Sequence, residues 1–187
     1  KPTHVAVESL RSLRASLDYT ALDQPIRMLC VSSSLPGEGK STIANGLAIS
    51  LAQSGKRVLV VDCDLRRPVQ HLFWKGVAND QGVTTVLVGK CELADAVQPT
   101  GVENLDVLVS GPLPPNPGKL IESLRLRQLL LEASKTYDMI LVDSPPVLLV
   151  NDAVLIHRVV DNLLMVVACA DTSRRAIIEA RERLEGS

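Results

Sequence analysis

Nine consecutive residues, Ser34-Leu35-Pro36-Gly37-Glu38-Gly39-Lys40-Ser41-Thr42, carry the groups that a bound polyphosphate needs. Glycines let the backbone curl until several N–H groups aim at one anion. Lys40 adds a point charge for the outer phosphates, and Ser41 a hydroxyl for Mg²⁺. Pro36, Gly37, Glu38, Gly39, Lys40, Ser41 and Thr42 are therefore the expected nucleotide contacts. The strict spacing G-x-x-x-x-G-K-[ST] fails at its first position, where Ser34 stands. Two acidic clusters follow apolar runs: Asp62-Cys63-Asp64-Leu65-Arg66-Arg67-Pro68 and Asp143-Ser144-Pro145-Pro146. Mg²⁺ takes hard oxygen ligands and few protein carboxylates, with water and phosphate completing its shell. Ser41, Asp62 and Asp143 are the expected metal-side residues, and Lys40, Asp62 and Asp64 the expected catalytic ones. A lone Asp at the end of a strand is ordinarily a cap or turn residue. Three such acids beside a phosphate loop point to a metal role for at least two. Arg66 and Arg67 fit solvated surface charge and contact with phosphate, nucleotide or a neighbouring subunit equally well. His4, His71 and His157 form no ligand cluster.

These residues converge only if particular elements hold them. Arg27–Ser32, Arg57–Cys63, Leu105–Val109, Met139–Val142 and Leu163–Cys169 are apolar runs of strand length. They are nearly continuous rather than alternating, as in a parallel sheet buried on both faces. Helices are expected over Val5–Leu17, Lys40–Gln53, about Leu120–Ser134 and Arg174–Leu184, with short ones near Thr84–Leu87 and Leu93–Val97. Ala21–Pro25 reads as a connector, and Gly111–Gly118 as a stiff surface loop that is neither helix nor central strand. The expected architecture is α/β, a mostly parallel central sheet flanked by helices on both faces, the P-loop NTPase fold. In such a sheet ligands bind beyond the carboxyl ends of the strands, where the loop, Asp62, Asp64 and Asp143 should meet.

Residues 1–187 fit one domain, with 1–20 an N-terminal helix. Hydrophobic residues are 46% and aromatic residues only 2%, so aliphatic side chains must build the core. A net charge of −1 argues against a large electrostatic nucleic-acid footprint. No apolar stretch reaches the roughly 18 residues that a membrane span requires. The start at Lys1 without Met suggests an excised piece. Cys30, Cys63, Cys91 and Cys169 make no C-x-x-C pair; Cys30, Cys63 and Cys169 lie in strand-like runs and are expected to pack as small hydrophobes. The cytosol is the expected compartment.

With these motifs in hand, the chain resembles the cytoplasmic P-loop kinase domain of the bacterial tyrosine kinases that control capsule and exopolysaccharide synthesis. Pro36–Thr42 matches the family's Walker A, Asp62-Cys63-Asp64-Leu65-Arg66-Arg67-Pro68 its additional Walker A′, and Asp143-Ser144-Pro145-Pro146 its Walker B. Pro114-Pro115-Asn116-Pro117 and Tyr137-Asp138 also fit, and Glu8, Arg11 and Arg14 reproduce its E-x-x-R-x-x-R motif. The resemblance implies an ATP-dependent protein-tyrosine kinase, with ATP/ADP and Mg²⁺ in the site. It also implies assembly into a homo-oligomeric ring through Glu8, Arg11 and Arg14, which share one helix side at this spacing. The implied partners are a transmembrane activator, or an N-terminal membrane portion of the same polypeptide, and a cognate tyrosine phosphatase. The implied location is the inner face of the cell membrane. The family phosphorylates a tyrosine cluster after the last helix in trans, whereas this chain holds only Tyr19 and Tyr137.

Two other readings remain at this stage. A deviant-Walker partitioning ATPase would carry a second Lys at the start of Walker A, where Ser34-Leu35-Pro36 stands. A non-catalytic ATP-binding scaffold of the export machinery would need the loop without phosphotransfer. The adenine pocket bears no motif; Asp171-Thr172-Ser173 is a candidate from position alone.

Overall fold

In a computed structural model, which describes residues 2–20, 25–160 and 162–186, the apolar runs assemble into one six-stranded sheet. The elements are α1 (Pro2–Thr20), β1 (Met28–Ser33), α2 (Lys40–Gln53), β2 (Val58–Asp62), α3 (Gln70–Phe73), α4 (Val83–Leu87) and α5 (Leu93–Ala96). There follow β3 (Gln98–Val102), β4 (Leu105–Leu108), α6 (Pro117–Ile121), α7 (Leu124–Ala133), β5 (Met139–Asp143), α8 (Asp152–Val160), β6 (Leu163–Val166) and α9 (Arg174–Glu185). Strand order is β3-β4-β2-β5-β1-β6. Every pairing is parallel except β3 with β4.

Alternation inside the apolar runs sets the layers, because successive side chains leave a strand on opposite faces. Val58, Val60, Met139 and Leu141 pack with Leu47 and Leu51 of α2. Leu59, Val61, Ile140 and Val142 pack with Leu126 and Leu130 of α7 and Ile156 of α8. Both faces are apolar because both are covered. The first helix lies outside α2: Leu13 and Leu17 join its cluster. Leu10 approaches Gly46 so closely that a Cβ there would stand 2.5 Å from the Leu10 Cδ1 atom.

Several expectations need correcting. The single helix over Leu120–Ser134 is two, α6 and α7. Ser123 adopts extended backbone between them, and its hydroxyl donates to the Leu120 carbonyl at 2.6 Å. Such local bonding competes with helix continuation. The Gly111–Gly118 segment is not wholly loop, since Pro117 and Gly118 open α6; Pro is tolerated in a first turn, where its missing N–H has no partner to lose. β3 is an edge strand containing Pro99 and Gly101, which masked it. α3 and α8 also lie where no element was expected. β6 ends at Val166, so Cys169 is exposed beyond it rather than packed. Residues 21–24 of the expected connector and the His4 side chain lie outside the described residues.

Candidate active site

The phosphate loop is built by two left-handed glycines and one buried acid. Gly37 and Gly39 have φ of 83° and 88°, a region that costs other L-residues energy. Gly39 caps α2 without a side-chain bond, so the first-turn N–H groups of α2 stay available to an anion. The side chain of Glu38, a residue among the expected nucleotide contacts, braces the loop. Its Oε2 accepts the Leu35 N–H at 2.6 Å, and its Oε1 accepts the Thr172 hydroxyl. Asp171-Thr172-Ser173 is thereby tied to the loop, while Ser173 caps α9. Ser34 is fully buried.

The parallel sheet brings the acids together. Asp62 at the end of β2 pairs in register with Asp143 at the end of β5. Lys40 Nζ lies 3.2 Å from Asp64 Oδ2, 3.1 Å from Asp143 Oδ1 and 3.2 Å from Ser41 Oγ. Burial alone would depress the Lys40 ammonium's pKa, but the charges of Asp143 and Asp64 outweigh it and hold the pKa above its ordinary value. Three oxygens thus converge on one positive charge, a donor set that suits a hard cation. Asp62 sits beside this group without touching Lys40. Its Oδ1 accepts the Asp64 N–H at 3.1 Å, and its Oδ2 those of Val69 and Gln70 at 3.2 and 3.0 Å. Burial, then the neighbouring Asp143 charge, push its pKa up to about 7, against the pull of the Gln70 N–H. Among the described residues no group of three or more His, Cys, Asp or Glu is arranged to hold a metal ion.

A cleft of about 660 Å³ opens against the loop, lined by Gly37, Lys40, Ser41, Thr42, Asp64 and Arg67, among others. Asp64 reaches this cleft, whereas Asp62 and Asp143 are fully buried. Arg67 is exposed on its wall. Arg66 forms a two-pronged pair with Asp152 of α8, at 2.8 and 3.2 Å, which ties the segment after β2 to α8. Motif reading missed Asp152 and Gln70, and it named Thr172 only by position, as part of a candidate adenine pocket. They carry no spacing signal, because each partner is remote in sequence.

Residues 26–181 match the family described as "AAA domain". The tyrosine-protein kinase YwqD of Bacillus subtilis is 38% identical over 98% of this chain and 77% of its own length. The chain belongs to the bacterial tyrosine-kinase family. The tyrosine-protein kinase wzc of Salmonella typhimurium is 35% identical over 98% of the chain, which spans only 26% of that protein. The solved kinase domain of the Escherichia coli tyrosine kinase ETK superposes with a TM-score of 0.92 at 36% identity, covering 96% of this chain and 70% of that one. The fold is thus that of a P-loop kinase domain. The phosphate loop, Asp62, Asp64 and Asp143 meet at one sheet edge, as expected of parallel strands that end together.

On the N-terminal helix, Arg11 pairs with Glu8 at 2.6 Å on the exposed side. Arg14 turns inward and donates to the Ser50 carbonyl of α2 at 2.9 Å. Among the described residues no helix is long and apolar enough to cross a membrane.

Proposed function

We propose that this domain transfers the γ-phosphoryl group of ATP to tyrosine hydroxyls, in trans on a C-terminal tyrosine cluster, in the regulation of polysaccharide synthesis and export. The observation that carries the proposal is the junction of Lys40, Asp64 and Asp143 against the phosphate loop.

The loop N–H groups and the start of α2 bind the phosphates, and Lys40 swings from its carboxylates to the outer ones. Ser41 and Asp143 would hold Mg²⁺, which supplies charge neutralisation on the transferring group when bound. Asp64, the acid that reaches the cleft, accepts the proton of the tyrosine hydroxyl. The phenol oxygen attacks the γ-phosphorus as the bond to the β-phosphate oxygen breaks, leaving ADP. Asp62, read from the sequence as both a metal-side and a catalytic residue, takes a positioning role in this proposal, because it is fully buried and its two oxygens accept the N–H groups of Asp64, Val69 and Gln70. A partitioning ATPase is disfavoured by Ser34-Leu35-Pro36 at the signature position. A ring joined through Glu8, Arg11 and Arg14, a membrane-bound activator and a location at the inner membrane face belong to the same proposal.

The test is phosphate transfer from labelled Mg·ATP to a flexible tyrosine-bearing peptide, with nucleotide binding measured by calorimetry. Lys40→Ala is expected to abolish labelling and to weaken binding strongly. Unchanged binding and labelling in that variant would refute the assignment.

A further inference from the structure

A side chain that donates a hydrogen bond to Asp143 lies outside every motif. Gln70 is fully buried at the start of α3. Its backbone N–H donates to Asp62, while its side-chain Nε2 donates to Asp143 Oδ2 at 2.8 Å. The other carboxylate oxygen of Asp143, Oδ1, is the one that faces Lys40. The far side of the Gln70 amide, Oε1, accepts the indole N–H of Trp74 at 3.4 Å. Chemistry dictates this orientation. An indole N–H only donates and an ionised carboxylate only accepts, so the amide must present oxygen to Trp74 and nitrogen to Asp143. A glutamate in this place would set a second acceptor against Asp143, and a hydrocarbon would leave Asp143 Oδ2 without this donor.

We propose that Gln70 is a positioning residue for phosphoryl transfer, holding the Asp143 carboxylate so that Oδ1 points to the cation site, with Trp74 fixing the Gln70 amide. The inference rests on Asp143 being a metal-side carboxylate. It predicts that loss of Gln70 damages turnover and metal response rather than ATP capture, because the hydrogen bonds of Gln70 go to Asp62, Asp143 and Trp74 and not to the phosphate loop or Lys40. Groups that orient metal ligands characteristically matter by about 10–100-fold. Trp74 is the sole tryptophan of the chain and is almost wholly buried. Its emission therefore reports on the line Trp74–Gln70–Asp143–Lys40 when a cation enters at Asp143.

The experiment compares the parent with Gln70→Met, which keeps length and volume but lacks both polar groups. Mg·ADP binding is followed by calorimetry, tryptophan emission is titrated with Mg·ADP, and kcat, KM for ATP and the half-saturating Mg²⁺ concentration are measured. The parent should bind Mg·ADP and change its emission. Gln70→Met should bind ADP, lose the emission change, drop about 10–100-fold in kcat at similar KM, and need more Mg²⁺. If Gln70→Met does not fold, Trp74→Phe carries the test. It keeps an aromatic ring and removes the N–H, so kcat should fall about 2–10-fold, the weight of one neutral hydrogen bond. A parent that fails to bind Mg·ADP overturns the reading of the site and this inference with it. A parent that binds and turns over, beside variants with unchanged kcat and Mg²⁺ response, overturns the role of Gln70 alone.

Discussion

Removing Lys40 should cost stability as well as activity, and the cost should depend on pH in a defined direction. Lys40 is the cation that neutralises Asp64 and Asp143, whose side chains are 5% and 0% exposed. Deleting one partner of a buried ion pair typically costs about 3–5 kcal/mol, because the remaining charge stays buried without compensation. For a domain of this size, each kcal/mol moves Tm by about 2–4 °C, so Lys40→Ala should melt roughly 10 °C lower near pH 8 without nucleotide. Asp62 sets the pH dependence. Its pKa rises from an ordinary 3.8 to about 7, with burial the largest cause. The folded state then holds this proton more tightly than the unfolded chain, so stability falls as pH climbs from about 4 to about 7. At 1.36 kcal/mol per pKa unit, the shift corresponds to roughly 4 kcal/mol over that window. Lys40 stays charged throughout, because its pKa lies above its ordinary value. The penalty of Lys40→Ala should therefore shrink near pH 5, where Asp62 is protonated and the cluster carries less negative charge. Urea unfolding of the nucleotide-free parent and variant at pH 5 and pH 8 reads both effects. Equal stability of the two proteins at pH 8 would refute the reasoning, and so would a penalty that grows as pH falls.

Replacing Glu8, Arg11 and Arg14 together by Ala should convert a ring to monomers in light scattering. Arg14→Ala alone should also loosen α1 from α2, because it breaks the bond to Ser50; an unchanged particle size for the triple variant would exclude the ring role. Residues 1–187 by themselves should show little tyrosine autophosphorylation. Tyr137 is half-buried and donates to Asp106 at 2.8 Å, and burial, reinforced by that bond, raises its pKa. Tyr19 is exposed but belongs to the helix α1. Mass spectrometry finding strong phosphotyrosine at either position would contradict this placement, whereas an appended flexible tyrosine segment should be labelled.

Local order along the chain was enough to specify the phosphate loop, α2 and the apolar strands. Their signals are short-range: Gly37 and Gly39 supply the turn, Lys40-Ser41-Thr42 follows directly, and unbroken aliphatic runs mark strands covered on both faces. That the acids meet followed from parallel strands ending at one edge. Weak local signals failed. The break at Ser123, the Pro-bearing edge strand β3 and the short helix α3 depend on neighbours that a linear pattern does not encode. Only the tertiary structure decided which acid faces the cleft, for Asp62 and Asp64 lie two positions apart and bear the same chemistry. It also decided that Glu38 braces the loop through Thr172, that Arg66 pairs with Asp152, and that Gln70 bridges Asp62 and Asp143. The physical reason is common to all of these. A hydrogen bond between residues far apart in sequence depends on where the sheet places two backbones, and no residue type announces its partner.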